Sequence, residues 1–424
     1  MHETVLGSTT DAVSQLLVAG LLVALFTVLA LEKAHRVLIA LGAVAAMWAI
    51  TYLTPYRLLT LEGAQQALDV NVLLLLAAMM ALVGVLKSTG VFAWAVDRIV
   101  DRFEGEPVRA IAAVWWFTAI ASAFADNVTT VIFVTPIVLA MIKRLDLPAI
   151  PVLLPMIMAA NIGGTATLIG DPPNIMIGSG AGLSFLDFLE ELTIPTMLMM
   201  VGMHWWGARR LRRAIGTRPA PTIPLTDSNP EITDPGLLRW MTGISIAVMV
   251  GFVTHGLTGM PAAVPAVVGA AAALVVQDVR YLRNSKPSHD ERTHGILHVL
   301  EREIEWPTLT FFVFLFILVG AAVDTGLIGT LAAALERAIM GGRAAFGLSD
   351  SGTMLFAAFL VLWVAGALSA VMDNIPFVAV SIPIVGALGI ALPGDGRVLW
   401  WALSLGACLG GNGTPIGASA NVTT

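Results

Sequence analysis

Three carboxylates, Asp126, Asp171 and Asp373, stand inside otherwise apolar stretches of this chain. A charge at the centre of a bilayer costs at least about 2.5–3.5 kcal/mol, so an acid at that depth faces a cavity or a partner. Asp126 and Asp373 also share a setting. Ser122-Ala123-x-x-Asp126-Asn127 recurs as Ser369-Ala370-x-x-Asp373-Asn374, 247 residues later, and Pro136 and Pro383 keep the same offset. Two roles fit such a repeated Asp-Asn pair: it exchanges protons for a cation, or each Asp caps a helix end at a hairpin tip.

A second motif carries more polar groups. Asn161-x-Gly163-Gly164-x-x-Thr167-x-Ile169-Gly170-x-x-x-Asn174 recurs as Cys408-x-Gly410-Gly411-x-x-Thr414-x-Ile416-Gly417-x-x-x-Asn421, again 247 residues on. Both copies read as unwound helix centres whose carbonyls and N–H groups coordinate an ion or a polar solute. Irregular backbone at membrane depth is tolerated only where it lines protein or water. Thr165, Thr167, Asn412 and Thr414 add short neutral ligands, and Asn161 and Asn174 add amides. Pro172-Pro173 beside Asp171 argues against an unbroken helix. The competing reading is close helix packing through small residues. Cys408 reads either as a soft-metal ligand or as a small buried filler. A third block, Leu82-Val83-Gly84-x-x-x-x-Thr89-Gly90, matches Leu318-Val319-Gly320-x-x-x-x-Thr325-Gly326 at an offset of 236.

The elements that must position these residues follow from composition. The chain has 424 residues, 57% hydrophobic and 12% charged, with mean hydropathy +0.85. A soluble protein carries about 25% charged residues, so soluble enzymes and disordered chains are excluded. A net charge of −6 supplies no field for a polyanion. The single cysteine rules out an internal disulfide and a cysteine-cluster metal site. His289, His294 and His298 fall in a mixed-charge loop without metal-ligand spacing.

Spans of about 20 apolar residues are expected near 12–31, 37–54, 70–87, 192–208, 237–256, 261–278 and 305–323. The fold class is an all-α polytopic membrane protein. Residues 1–69 are scaffold helices. Residues 70–208 form a first repeat, with a hairpin near 108–144 and a broken helix near 150–178. Residues 209–236 are a cytoplasmic linker and 237–304 carry scaffold helices and a cytoplasmic loop. Residues 305–424 form the second repeat, with a hairpin near 350–391, a broken helix near 397–421 and, as read, no final helix. No basic signal-peptide start is present, so no cleavage is expected. With the N-terminus outside, 19 basic residues fall inside and 4 outside. The repeats are then inverted, the architecture of secondary transporters, so no enzyme is expected. His204, Trp205 and Trp206 read as an inner interfacial belt and His255 as an outer one.

At Ala125-Asp126-Asn127-Val128-Thr129-Thr130, at Asn161 to Asn174 and at Asp373-Asn374-Ile375-Pro376 the chain resembles the ion transporter superfamily. The similarity points to the group of ArsB-type arsenite effluxers, NhaD-type sodium/proton antiporters and the melanosomal P protein. It implies a scaffold domain, a transport domain with two hairpins and two broken helices, and a homodimer in the inner membrane of a bacterium. By position, Asp126 and Asn127 lie at an inner hairpin tip and Asp373 and Asn374 at an outer one. Thr129, Thr130 and the residues of 161–174 and 408–421 join them as site residues. Distant dicarboxylate carriers have Ser-Asn-Thr at these tips, where this chain has Asp-Asn-Val and Asp-Asn-Ile. Leu168 has Pro415 as its repeat mate. No Arg or Lys sits near the motifs to pair an anion. The expected activity is proton-coupled efflux of arsenite or antimonite, with sodium/proton exchange as the alternative and dicarboxylate symport or a channel behind. No cofactor is implied beyond a proton or sodium gradient, and an arsenite effluxer would have a cytoplasmic ATPase partner. An intramembrane aspartyl protease is a poor reading, because Leu168 stands where that family has the first glycine of Gly-x-Gly-Asp.

Overall fold

The computed structural model describes residues 11–31, 33–103, 106–144, 146–216, 232–285, 299–414, 417–418 and 421. Nearly all of them are helical. Nine described helices are long and apolar enough to cross a membrane. Their outward faces are apolar too: Leu16, Val23, Val250, Val268 and Leu355 are all exposed. Such a surface suits hydrocarbon rather than water.

The chain divides into two compact units, and most of each sequence repeat falls in a different one. The first-repeat unit holds Leu74–Gly178 and Leu183–Glu305, with residues from Ser419 onward. Its helices are α4 (Val70–Ser88), α5 (Val91–Arg102), α6 (Pro107–Phe124), α7 (Asn127–Arg144), α8 (Ala149–Thr165), α9 (Pro172–Ala181), α10 (Phe185–Ile215), α11 (Pro235–Thr258) and α12 (Ala263–Ser285). A π-helical turn, Val299–Glu303, follows. The second-repeat unit holds the chain up to Leu73, Ser179–Gly182 and Trp306–Ala418. It contains α1 (Ala12–Ala30), α2 (Arg36–Leu53), α3 (Leu61–Ala67), α13 (Trp306–Asp324), α14 (Leu327–Phe346), α15 (Asp350–Val371), α16 (Asn374–Ala391) and α17 (Arg397–Gly410).

The hairpins arise from local chemistry. In each, Asp-Asn interrupts two apolar helices, and the Asp side chain accepts a backbone N–H of the second arm. The breaks arise from the tandem prolines: α8 stops at Thr165, and Pro172 opens α9, where proline's missing N–H costs nothing. The third repeat block is a turn. Gly90 and Gly326 both have left-handed backbone, φ 77° and 76°, at the starts of α5 and α14. A residue with a Cβ is strained there.

Several expected elements take different forms. Helix α10 starts at Ser184, whose capping box with Asp187 fixes its first turn, and runs 31 residues to Ile215. At about 46 Å it outreaches the bilayer core. The Arg-Arg-Leu-Arg-Arg run expected to begin a linker is therefore its last turns, where Arg209 and Arg210 lie over the Trp205 and Trp206 rings. Residues 217–231 of the expected linker lie outside the described residues, as do His289, His294, His298 and Pro415. His204 accepts a hydrogen bond from Trp116 Nε1 at 3.2 Å. His255, expected at an interface, is buried: its Nε2 accepts the Phe185 N–H at 3.0 Å, and its Nδ1 faces the Met260 carbonyl. It ties the start of α10 to the turn after α11. Helices α5 and α14 match no expected span. Asp97, Arg98, Asp101 and Arg102 in α5, and Glu336, Arg337 and Arg343 in α14, break the apolar run that marks a span.

Candidate functional site

The first-repeat unit gathers most of the sequence-predicted site residues around the tip between α6 and α7. Asp126 Oδ1 accepts the Thr129 N–H at 2.9 Å and Oδ2 accepts the Thr129 hydroxyl at 2.5 Å. The carboxylate thus caps α7, and it is still only partly buried. Thr130 is turned away, donating to the Ala125 carbonyl at 3.0 Å.

Next to Asp126 runs a chain of amides. Asn127 Nδ2 donates to Asn161 Oδ1 at 3.1 Å, and Asn161 Nδ2 donates to Asn421 Oδ1 at 3.0 Å. Asn421, expected in the second helix break as the mate of Asn174, folds with the first-repeat unit. Asn127 is 2% exposed, and its Oδ1 has no donor among the described residues. Leaving a buried acceptor unpaired costs about 1–3 kcal/mol. An amide oxygen is also a hard ligand for a small cation.

The helix break is stapled by its own side chains. Asn174 Nδ2 donates to the carbonyls of Thr165 at 3.1 Å and Thr167 at 3.0 Å. Thr165 donates to the Asn161 carbonyl at 2.8 Å, and Thr167 donates to the Ala123 carbonyl while accepting the Gly170 N–H. These groups, read from sequence as ligands, hold the break in shape and bind it to the hairpin. Asp171, 1% exposed, starts α9 through its backbone carbonyl, which accepts the N–H groups of Asn174 and Ile175.

The glycines serve close packing. A Cβ at Gly163 would strike the Ala119 backbone, and one at Gly164 would meet the Gly170 carbonyl at 2.5 Å. Helices α6 and α8 cross backbone to backbone there, joined by the Ser122 hydroxyl donating to the Ala160 carbonyl at 2.7 Å. Of the two sequence readings of the glycines, the structure gives packing. Unwinding starts beyond them, after Thr165.

The second-repeat unit repeats this joint. Ser369 donates to the Ala407 carbonyl at 2.6 Å, Thr414 donates to the Ala370 carbonyl, and a Cβ at Gly410 would strike the Gly366 backbone. Every partner is offset by 247 from its first-repeat counterpart. Gly411 and Gly417 face one another like Gly164 and Gly170. Asn374 is buried, Asn412 is half-buried, and Cys408, in the place of Asn161, is 1% exposed. Among the described residues no three His, Cys, Asp or Glu side chains gather as a metal site.

One residue was missed. Arg36, the first residue of α2, places Nη1 3.8 Å from Asp373 Oδ2 and donates from Nη2 to Thr308 Oγ1 at 2.7 Å. The expectation that no base stands near the motifs is thereby corrected. No local signal marks Arg36, which lies hundreds of residues before Asp373.

A cavity of about 690 Å³ adjoins the first tip through Ala125 and is walled by Phe92, Phe117, Phe124, Met249 and Phe252. It has no charged lining, so it is separate from the acids' chemistry.

The comparisons with known proteins agree with this anatomy. The family model described as citrate transporter matches residues 26–406. An uncharacterized transporter of Mycobacterium tuberculosis is 35% identical over 94% of this chain and 87% of its own length. The P protein of Homo sapiens is 28% identical over 99% of this chain, which spans 56% of that protein. The crystal structure of the Alcanivorax borkumensis YdaH transporter, described as having an unusual topology, aligns with TM-score 0.55 and 14% identity over 97% of this chain and 90% of that one. That likeness is one of fold. An integral membrane chain with two hairpins, two matched helix joints and this extent of sequence similarity is a membrane transporter, and it belongs to the citrate transporter (CitMHS) family.

Proposed function

We propose that the protein is a secondary active transporter in which Asp126 and Asp373, one in each unit, carry the coupling cation. The observation that carries this reading is the partly accessible Asp126 carboxylate beside Asn127, whose buried amide oxygen has no donor among the described residues. An acid and an amide oxygen together favour a proton or a small cation over an anion. The cargo that suits such a neutral-to-negative tip is an uncharged hydroxide, arsenous or antimonous acid, driven outward by proton entry. Sodium/proton exchange uses the same acids without that cargo.

A second reading, citrate or another carboxylate, is favoured by Arg36 and by the family's description. Arg36, however, stands against Asp373, so its charge is already opposed. The mycobacterial relatives support a plasma-membrane location in a bacterium. The test is expression in an arsenite-sensitive bacterium, with flux in everted vesicles supplied separately with arsenite, antimonite, sodium and citrate. Arsenite resistance with proton-driven arsenite accumulation supports efflux. Sodium-dependent proton flux alone moves the assignment to the antiporter, and citrate uptake moves it to the carboxylate.

A further inference from the structure

The two hairpin tips carry the same Asp-Asn pair in unlike surroundings. Asp126 makes no ion pair among the described residues; its carboxylate accepts the N–H and the hydroxyl of Thr129. Asp373 has its Oδ1 on the Ile375 N–H and its Oδ2 facing the Arg36 guanidinium. That guanidinium is held by hydrogen bonding to Thr308 and lies 5.9 Å from the centre of the Phe311 ring. Thr308 and Phe311 belong to α13, and Arg36 to α2. Asp373, by contrast, belongs to the α15–α16 hairpin. The ion pair therefore fastens a hairpin to the helices around it, within one unit, at the place where a cation is needed.

We propose that Arg36 is a tethered competitor of the coupling cation: its guanidinium occupies the cation position of Asp373 in the empty protein and withdraws when an ion takes that carboxylate. The inference rests on the reading that Asp373 carries the ion. The second tip is then charge-balanced whether empty or loaded, which lowers the penalty for holding a carboxylate at membrane depth. Ion entry becomes an exchange at Asp373 and a simple addition at Asp126. Arg36 is a positioning residue here, and neither cargo nor proton passes through it.

The experiment uses the full chain in proteoliposomes, titrating the initial rate of coupled flux with sodium and, separately, with protons. Arg36→Gln should lower the half-saturating concentration of the coupling cation about fivefold, the scale of a partly exposed ion pair, and should slow the maximal rate. Arg36→Lys, which keeps the charge, should stay near wild type. A merely structural pair would instead lower the unfolding temperature of Arg36→Gln and leave half-saturation unchanged; that result overturns the proposal. Loss of citrate uptake at unchanged cation affinity would make Arg36 an anion ligand and overturn it as well. Asp373→Asn separates the two levels. If it keeps wild-type coupled flux, or if neither cation supports flux in the wild type, the ion-carrying reading falls and the competitor with it. If it abolishes coupling while Arg36→Gln leaves half-saturation unchanged, the competitor alone falls.

Discussion

Asp126 caps a helix and is the proposed ion carrier, and one substitution separates the two roles. Its carboxylate caps α7 through both the N–H and the hydroxyl of Thr129, and asparagine caps a helix about as well as aspartate. Asp126→Asn should therefore fold with an unfolding temperature close to wild type and lose coupled transport, measured by flux in vesicles. Retained proton-coupled flux would remove Asp126 from the ion path. The two sequence readings of this residue, helix cap and ion carrier, thus turn out to be compatible, because capping leaves the carboxylate partly exposed. At Asp234 the charge matters in another way. Arg280 hydrogen-bonds it, with Nη2 on Oδ1 at 2.6 Å and Nε on Oδ2 at 3.1 Å, and these bonds hold the carboxyl below the usual carboxylate range. A depressed folded-state pKa contributes stability that is present above about pH 4 and lost as the pH falls through the folded value. Detergent unfolding scans should show an acid-side loss of stability below that pH that Asp234→Asn lacks. Both side chains are over a quarter exposed, so the loss should be small.

At the scale of elements, the joint between hairpin and broken helix is the most constrained part of the protein. It is built twice from Ser, Gly and Thr at matched positions. Gly163→Ala or Gly410→Ala would drive a methyl group into the backbone of the facing hairpin arm. Overpacking of this kind costs about 1–3 kcal/mol, so each should lower the unfolding temperature and reduce transport. Gly42→Ala, on an open face of α2 with nothing near its Cβ position, should be neutral or stabilise by up to about 1 kcal/mol. Equal effects at Gly42 and Gly163 would dissolve the argument. The repetition of this joint was legible in the sequence as a 247-residue offset. Its purpose was not, since a glycine kept for a neighbour's backbone and one kept for unwinding look the same in one dimension. Helices α5 and α14 escaped a search for long apolar runs because short or charge-bearing helices do not carry that signal.

At the scale of the whole molecule, the basic residues assign an inside and an outside. Within the first-repeat unit the structure puts Lys87 on Glu303, Thr233 on Ser88 and Asp234 on Arg280, at the C-terminal ends of α4 and α12 and the N-terminal end of α11. Lys87 and Arg280 belong to the basic residues expected on the inner side, and the two contacts put them at one side of this unit. Cysteine labelling tests the orientation. With the sole cysteine, buried Cys408, replaced by alanine, Arg213→Cys should react with an impermeant maleimide only from the cytoplasmic side. Thr258→Cys should react only from the opposite one. The reverse pattern would invert the topology and leave the helices untouched.

The sequence by itself determined that this is a membrane protein of repeated helical hairpins, because hydropathy and self-similarity are properties of a string. It also singled out Asp126 and Asp373, since an acid in an apolar run is costly wherever the run folds. Only the tertiary structure decided what those acids meet. The amide chain from Asn127 through Asn161 to Asn421, the stapling of the break by Asn174, and the approach of Arg36 to Asp373 all join residues far apart in the chain. Such contacts depend on which groups come within about 3–4 Å once the helices pack, and no spacing along the chain encodes that distance.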